Sequence, residues 1–142
     1  MAREQMLLDR IAQLGAQGHD RFEATAAEDL DAVIHSVRRN LIRLLNARHG
    51  MSEAMPDYGL PALTDLTIGS RAYVERVKDA IKVAIDKYEP RLRNVRVSRS
   101  VEEEGAQRLG FRVEATLIAQ SGEHRIWYET TVRGSGEFDV SE

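Results

Sequence analysis

The segment YEPRL, at residues 88–92, places a carboxylate and a guanidinium on either side of a proline. Pro90 disfavours helical geometry at Glu89, so a helix that approaches from the N-terminal side must end there, with Glu89 extended. Side chains alternate along an extended backbone, and Glu89 and Arg91 therefore point to the same side. Such a pair can form charge-assisted hydrogen bonds internally or can project together towards a partner.

Two interpretations of this junction stay open from the residues alone. It is either a helix stop with a surface ion pair that contributes little stability, or a docking site for another protein. The strand that follows raises a related question, because counting by twos from Arg91 leads to the face that holds the apolar residues Val95 and Val97. We expect either a register shift in this strand or partly buried arginines, at 91 and 93, that take acceptors from Glu89 or from another chain.

Other residue combinations in the sequence give no support to catalysis or metal binding. The four histidines lie at positions 19, 35, 49 and 124. They have no metal-ligand spacing, and Ser36 beside His35 on a helix is a poor start for a catalytic triad. The sequence has no nucleophile, phosphate-loop or dinucleotide motif, and the acidic run at 102–104 is most simply a solvated turn. We therefore expect no enzyme activity, no metal site and no cofactor.

Length and composition indicate an ordinary globular protein. The 142 residues suffice for one domain with a hydrophobic core, and the 42% hydrophobic and 30% charged residues are typical of one. The net charge of −3 argues against a protein that binds nucleic-acid phosphates, and the lack of cysteine excludes disulfides. The N-terminus is too charged for a signal peptide, and no segment approaches the roughly 20 apolar residues that span a bilayer. We expect a cytoplasmic protein without a membrane span.

Helical periodicity dominates the N-terminal part of the chain. Residues 1–18 predict a separate, short amphipathic helix, and residues 19–142 predict a single domain. Thr25 and Glu28 form a capping box that predicts the start of a second helix, and Ser70 is the predicted N-cap of a third. The apolar positions at helical spacing are Leu30, Val33, Ile34, Val37, Leu41, Leu44 and Leu45 in the second helix, and Tyr73, Val74, Val77, Ile81, Ala84, Ile85 and Tyr88 in the third.

After YEPRL the apolar residues alternate instead, which predicts three strands joined at Glu102–Gly105 and Ser121–Glu123. The alternating residues are Val95 and Val97, then Phe111, Val113, Ala115 and Leu117, then Ile126, Tyr128, Thr130 and Val132. N-terminal helices followed by a small antiparallel meander packed against them make an α+β fold. A meander of three strands cannot close into a barrel and keeps two edges.

Three short motifs follow one another along the chain: SVRRNLIRLLNARHG at Ser36–Gly50, YGLP at Tyr58–Pro61 and YEPRL at Tyr88–Leu92. In this order and spacing they resemble the TssE family. Members of that family are baseplate proteins of type VI secretion systems, similar to the small baseplate-wedge protein of contractile-tailed phages. The leading MLLDRI also resembles the family's leucine-rich opening helix.

This resemblance implies a non-catalytic structural subunit, although the family often carries a lysozyme-like label. The family's E-P-R motif maps onto Glu89, Pro90 and Arg91 and implies docking on the wedge proteins TssF and TssG. The family's sheet resembles the part of the sheath protein that joins neighbouring subunits. An open sheet edge is therefore expected to accept or donate a strand with the sheath proteins TssB and TssC. The N-terminal helix is then either a third docking element or packs on the domain.

Two other functions stay open at this point. A peptidoglycan-cleaving muramidase requires an acid such as Glu89 or Glu114 with a raised pKa in a sugar-sized cleft. A generic adaptor domain requires only that the three short motifs match by chance.

Overall fold

The computed structural model describes residues 29–63, 67, 69–100 and 108–142. The chain divides into two compact units, Met1–Ile34 and His35–Glu142. Of the first unit only residues 29–34 are described, and they are helical. The predicted helix at 1–18 with its boundary, the capping box, and the acidic connection at 102–105 lie outside the described residues and stay predictions.

Helix α1 is described over residues 29–46, and its part in the second unit supplies much of the core. Val37, Leu41, Leu44 and Leu45 are completely buried. Their spacing of three and four residues places them on one face of the helix. Burial of each such side chain contributes on the order of 2 kcal/mol, so this face is the main apolar contact of α1.

The YGLP segment folds back against the C-terminal end of α1. Leu60 forms an isolated parallel bridge with Arg48, and its amide donates to the carbonyl of Ala47 at 3.0 Å. Its own carbonyl accepts from the amide of His49 at 3.1 Å, and the side chain is 1% exposed. Gly59 has a φ of +100°, and a Cβ there would lie 2.4 Å from the carbonyl carbon of Ala47. The close approach of loop and helix end therefore requires glycine.

Helix α2, at Arg71–Tyr88, has the start and the end that the sequence predicts. Ser70 is the N-cap, since its hydroxyl accepts from the amide of Tyr73 at 3.2 Å. At the other end Glu89 leaves helical geometry with φ −126° and ψ 82°, while its amide still donates to the carbonyl of Ile85 at 2.9 Å. The buried residues of α2 are Tyr73, Val74, Val77, Ile81, Ala84 and Ile85.

Four strands follow the helices as one antiparallel sheet in the order β1-β2-β3-β4. They are β1 at Leu92–Arg99, β2 at Leu109–Ala119, β3 at Gly122–Val132 and β4 at Phe138–Ser141. The predicted α+β class, with helices before a meander, is confirmed. The predicted number of three strands is wrong, because β4 has only 4 residues, too few to show a convincing alternation.

The connection between β2 and β3 is shorter than predicted. Ala119 pairs directly with Gly122, and Ile118 pairs with Glu123. The turn therefore consists of residues 120 and 121, and the predicted connection at Ser121–Glu123 is wrong because two of its residues belong to the ladder. Gly122 adopts a φ of +120°, which glycine reaches without the steric cost that a Cβ imposes.

One face of the sheet is buried and the other is exposed, as expected for an antiparallel sheet packed on one side. The buried face carries Leu92, Val95, Phe111, Val113, Ala115, Leu117, Tyr128, Val132, Phe138 and Val140. Thr130 is also buried there, and its hydroxyl donates to the carbonyl of Phe111 at 3.0 Å, which satisfies that polar group in the core. Helix α2 packs against β1, and side chains of α1 reach β4.

A β-bulge in β1 answers the register question. Arg93 lies opposite Thr116 of β2, and three residues later Arg96 lies opposite Glu114, so β1 has one extra residue between these pairs. Asn94 lies at the bulge with a φ of 53°, in the left-handed region that asparagine tolerates better than most residues. The strand can therefore bury apolar side chains on both sides of the bulge while its arginines stay exposed.

We expect Gly59→Ala to lower the free energy of unfolding by about 3 kcal/mol, because left-handed strain adds to displacement of the Ala47 backbone. Gly50→Ala is the matched control. Gly50 also has a positive φ, +85°, but a Cβ there meets none of the described atoms within 4 Å. It should cost only about 1 kcal/mol. Urea unfolding followed by circular dichroism measures both, and equal losses would contradict the tight packing at Gly59.

Candidate functional site

The turn between α2 and β1 contains the three residues that the sequence singles out. The carbonyl of Glu89 accepts from the amide of Leu92 at 3.2 Å, which closes a turn with Pro90 at its second position. Proline suits this position because its φ is already fixed. Pro90 is exposed to solvent, whereas the side chain of Glu89 is 1% exposed. The turn therefore presents the proline outward and the carboxylate inward.

Glu89 and Arg91 form a two-pronged ion pair. Nε of Arg91 donates to Oε1 of Glu89 at 2.7 Å, and Nη2 donates to Oε2 at 2.9 Å. The backbone amide of Arg91 also donates to Oε1, at 3.2 Å. Paired parallel bonds of this kind are among the strongest carboxylate–guanidinium interactions. Because the carboxylate lies in the interior, the interpretation as a solvated surface pair of little energetic value does not apply.

Two polar side chains of α1 complete this network, and neither is predicted from the sequence as part of it. Nδ2 of Asn40 donates to Oε2 of Glu89 at 2.7 Å, and Oγ of Ser36 accepts from Nη1 of Arg91 at 2.9 Å. Ser36 and Asn40 are four residues apart and share one face of the helix. Their position beside the apolar stripe is a signal in the sequence, but it does not identify partners 49 and 55 residues away.

The remaining motif residues fix the surroundings of the network. The ring of Tyr58 in the YGLP loop meets Tyr88, the last residue of α2, edge-on with centroids 5.0 Å apart. Arg48, just beyond α1, donates to the carbonyls of Leu45 and Gly136 at 3.4 and 3.1 Å. The three short motifs, which are far apart in sequence, are therefore in contact in the fold.

A model of the family "baseplate wedge protein gp25" matches residues 31–122, well over half of the chain. The chain belongs to this family. All three motifs lie within the matched range, and the resemblance predicted from them is confirmed. By its description, this family is one of baseplate wedge proteins. Among curated proteins, none matches the chain.

Solved structures share the fold of this gp25 family member. A chain of "the baseplate complex from the type VI secretion system" is similar over 72% of this chain and 96% of its own, with 23% identity and a TM-score of 0.57. A Geobacter sulfurreducens protein, provisionally named a tail lysozyme, is similar over 68% of this chain and 88% of its own, with 18% identity and a TM-score of 0.53. At these identities the similarity shows the fold alone.

The environment of Glu89 is opposite to that of a glycosidase acid. Burial raises the pKa of Glu89, but the hydrogen bonds from Arg91 and Asn40 together outweigh burial, and the pKa lies below its ordinary value of 4.5. A glycosidase acid must instead hold its proton near neutral pH. Glu114, the other acid considered for this chemistry, is exposed on the solvent face of the sheet and does not lie in an enclosed cleft.

The histidines of the described residues make separate local contacts. His35 lies 2.7 Å from Glu142, and the ring of His124 lies 2.8 Å from the hydroxyl of Ser121. Within residues 29–63, 67, 69–100 and 108–142, no cluster of three histidine or acidic side chains could hold a metal ion. In the same part of the chain, no helix has the length and apolar character needed to cross a membrane.

The lowered pKa of Glu89 predicts a stability that depends on pH. The ionised carboxylate stabilises the fold above the pKa of the unfolded chain, and this contribution is lost as the pH falls through the lowered folded pKa. We expect the wild type to lose stability on acidification from near the ordinary value of 4.5 downwards, and Glu89→Gln to lose less over the same interval. At neutral pH Glu89→Gln should cost about 3 kcal/mol, since it leaves a partly buried guanidinium unpaired.

Urea unfolding of both proteins between about pH 7 and pH 3 measures this difference. Glu75→Gln is the matched control, because Glu75 is exposed and, among the described residues, its one ion pair is with Lys78 across a helical turn at 3.5 Å. It should behave like the wild type at every pH. Parallel losses of stability in the wild type and in Glu89→Gln would show that Glu89 is not the group that titrates.

Proposed function

We propose that this chain is a non-catalytic subunit of a type VI secretion baseplate. In this proposal it docks on the wedge proteins TssF and TssG through Glu89, Pro90 and Arg91, and it helps to start the contractile sheath. Membership of the gp25 baseplate family supports the structural role. The similarity to a chain of a type VI secretion baseplate complex shows that such a machine contains this fold, and the choice of this machine over a phage tail comes from the resemblance to the TssE family. The named partners come from the resemblance to the TssE family.

The observation that carries the docking proposal is the state of Arg91. Its guanidinium is held by Glu89 and Ser36, yet its side chain is 35% exposed. An arginine side chain has five N–H donors, and within the described residues three of them have acceptors, one each on Nε, Nη1 and Nη2. The remaining donors can bind a partner's carboxylate or carbonyl without the entropic cost of ordering a free arginine.

The three residues of the turn then have different roles. Arg91 provides the polar contact, and the exposed ring of Pro90 beside it provides a rigid apolar contact. Glu89 is a positioning residue, because its buried carboxylate reaches a partner only through the orientation it gives to Arg91. A partner that recognises this surface needs an acceptor group placed against the guanidinium and an apolar side chain against the proline.

The sheet is the second surface in this proposal. Strand exchange at a sheet edge gives affinity through main-chain hydrogen bonds and specificity through alternate side chains. The sheath proteins TssB and TssC are the expected partners, as the resemblance to the TssE family implies. The turn at Glu89–Arg91 precedes β1, one of the two edge strands of the sheet.

Co-purification with TssF and TssG tests the docking surface. The informative variant is Glu89→Leu/Arg91→Met, which replaces both charges by apolar side chains of similar size and leaves neither charge buried alone. Such replacements of buried ion pairs are often neutral for stability, so the fold should survive while the contact is lost. We expect at least about a tenfold loss of affinity, equivalent to about 1.4 kcal/mol, with a circular dichroism melt close to that of the wild type.

Arg76→Ala is the matched control, because Arg76 is exposed on α2 and makes no ion pair among the described residues. It should bind TssF and TssG like the wild type. Undiminished binding by a folded Glu89→Leu/Arg91→Met variant would show that the turn stabilises the fold and does not bind TssF or TssG. Failure of the wild type itself to bind would overturn the proposed wedge partners.

A further inference from the structure

The two edges of the sheet differ in whether their backbone groups are already satisfied. β4 forms one edge, and the bond from the amide of Arg133 to the carbonyl of Glu137, at 2.9 Å, sets the alternation along it. By this alternation Asp139 and Ser141 bond to β3, so the backbone groups of Phe138 and Val140 face outward. An outward group without a partner is what an added strand requires.

Side chains close the β4 edge at Phe138. Oδ1 of Asn46 accepts from the amide of Phe138 at 2.9 Å, and Nδ2 of the same side chain donates to the carbonyl of Phe138 at 3.0 Å. The carboxamide of Asn46 thus reproduces the pair of bonds that a neighbouring strand would make. Because Asn46 is held at the end of α1, where it also donates to Ile42 at 2.8 Å, it is part of the fold and not a mobile surface group.

The same edge is closed at Val140. Nε of Arg38 donates to the carbonyl of Val140 at 2.7 Å, and the carboxylate of Asp139 accepts from the amide of Val140 at 2.9 Å. Both outward-facing residues of β4 therefore have their amide and carbonyl bonded. A strand could be added here only by displacing side chains from α1, at the cost of the bonds that hold the helix to the sheet.

β1 forms the other edge and is not closed in this way. The amide of Ser100 donates to the carbonyl of Gly110 at 3.0 Å. After the bulge, the backbone groups of the even-numbered residues therefore bond to β2, and the backbone groups of Val97 and Arg99 face outward. Within residues 29–63, 67, 69–100 and 108–142, no side chain bonds to these outward groups. Among the described residues, the amides and carbonyls of Val97 and Arg99 therefore have no hydrogen-bond partner, as an added strand requires.

The side chains of β1 indicate the kind of strand that fits. On the solvent face, Arg93 and Arg96 are exposed and have no ion pair among the described residues. On the core face, Val95 is buried and Val97 is half-buried, and Arg99 at the end of the strand is exposed. Residues directly opposite each other in neighbouring strands interact, and opposite charges there are favourable. A strand beside β1 therefore fits best if it carries acidic residues on the solvent face of the sheet and apolar residues on the core face.

We propose that the β1 edge, after the bulge at Asn94, accepts an extended segment in which acidic and apolar residues alternate. This inference rests on the proposed strand exchange with the sheath proteins. It specifies which edge of the sheet accepts the added strand and which side chains that strand carries. A bulge and charged side chains on an edge strand disfavour its pairing with the strands of unrelated chains. Arg96, the arginine on the solvent face after the bulge, also gives the edge a preference, because an acidic segment neutralises its charge and a basic segment is repelled.

Hydrogen exchange with two blocked ten-residue peptides, one alternating Glu and Val and one alternating Lys and Val, tests the edge. In the free protein the amides of Val97 and Arg99 should exchange faster than those of Phe138 and Val140. The Glu–Val peptide should slow exchange at Val97 and Arg99 by about tenfold or more, because an amide bonded to the peptide exchanges only when the peptide dissociates. The Lys–Val peptide should not slow exchange at these amides. Protection at Phe138 and Val140 instead, or protection of Val97 already in the free protein, would overturn the assignment.

A matched pair of substitutions isolates the main-chain contact. The amide of Val97 faces away from β2, so Val97→Pro removes a donor to the partner without removing a bond of the ladder. Val97→Ala loses the same side-chain packing but keeps that donor. We expect Val97→Pro to lose peptide binding and Val97→Ala to retain it within a few-fold. Arg96→Glu should reverse the preference to the Lys–Val peptide, whereas Arg76→Glu, on α2, should change nothing.

Co-purification of the same variants with the sheath proteins separates this inference from the proposed function. Binding by the wild type and by Val97→Ala, with loss in Val97→Pro, supports the β1 edge. Equal binding by all three overturns the edge assignment but leaves the baseplate role intact. Normal peptide binding by a wild type that fails to bind the sheath proteins would keep the edge and remove the sheath from the proposed function.

Discussion

A carboxylate in a protein interior costs several kcal/mol unless hydrogen bonds replace its hydration, and Glu89 is such a carboxylate. Three donors come from Arg91 and one from Asn40. Asn40 belongs to α1 and Arg91 to the turn that leads into β1. The charge is therefore satisfied only when the helix and the sheet meet in one arrangement. This requirement gives the small domain a specificity of packing that apolar contacts alone, which tolerate sliding, do not provide.

Helix α1 connects the two ends of the sheet through polar side chains at its margins. Ser36 and Asn40 bond to the turn before β1, while Arg38 and Asn46 bond to the backbone of β4. The apolar stripe of the helix lies buried in the core. One helix thus determines the position of the first strand and of the last. The helix therefore carries polar contacts on its margins as well as an apolar face.

The sequence predicts those features that depend on neighbouring residues. Pro90 ends α2 and leaves Glu89 extended, and the count of residues after Arg91 correctly requires either a shift or buried arginines. The structure contains both, a bulge at Asn94 and a bound, partly buried Arg91. What sequence patterns do not reveal is pairing over distance. The bonds of Ser36 and Asn40 join residues 49 to 55 positions apart, and the short β4 is recognisable only beside β3.

The carboxamide of Asn46, which closes the β4 edge, limits how many copies of the sheet can pair edge to edge. A sheet with both edges free can be extended from either side, and identical copies can then stack into a ribbon without limit. A sheet that is closed at β4 can be extended only from β1. Two such copies that met through β1 would leave only closed edges outside, and growth would stop at a pair. Closure of one edge therefore allows the sheet to be extended once and keeps the molecule from becoming the repeating unit of a ribbon.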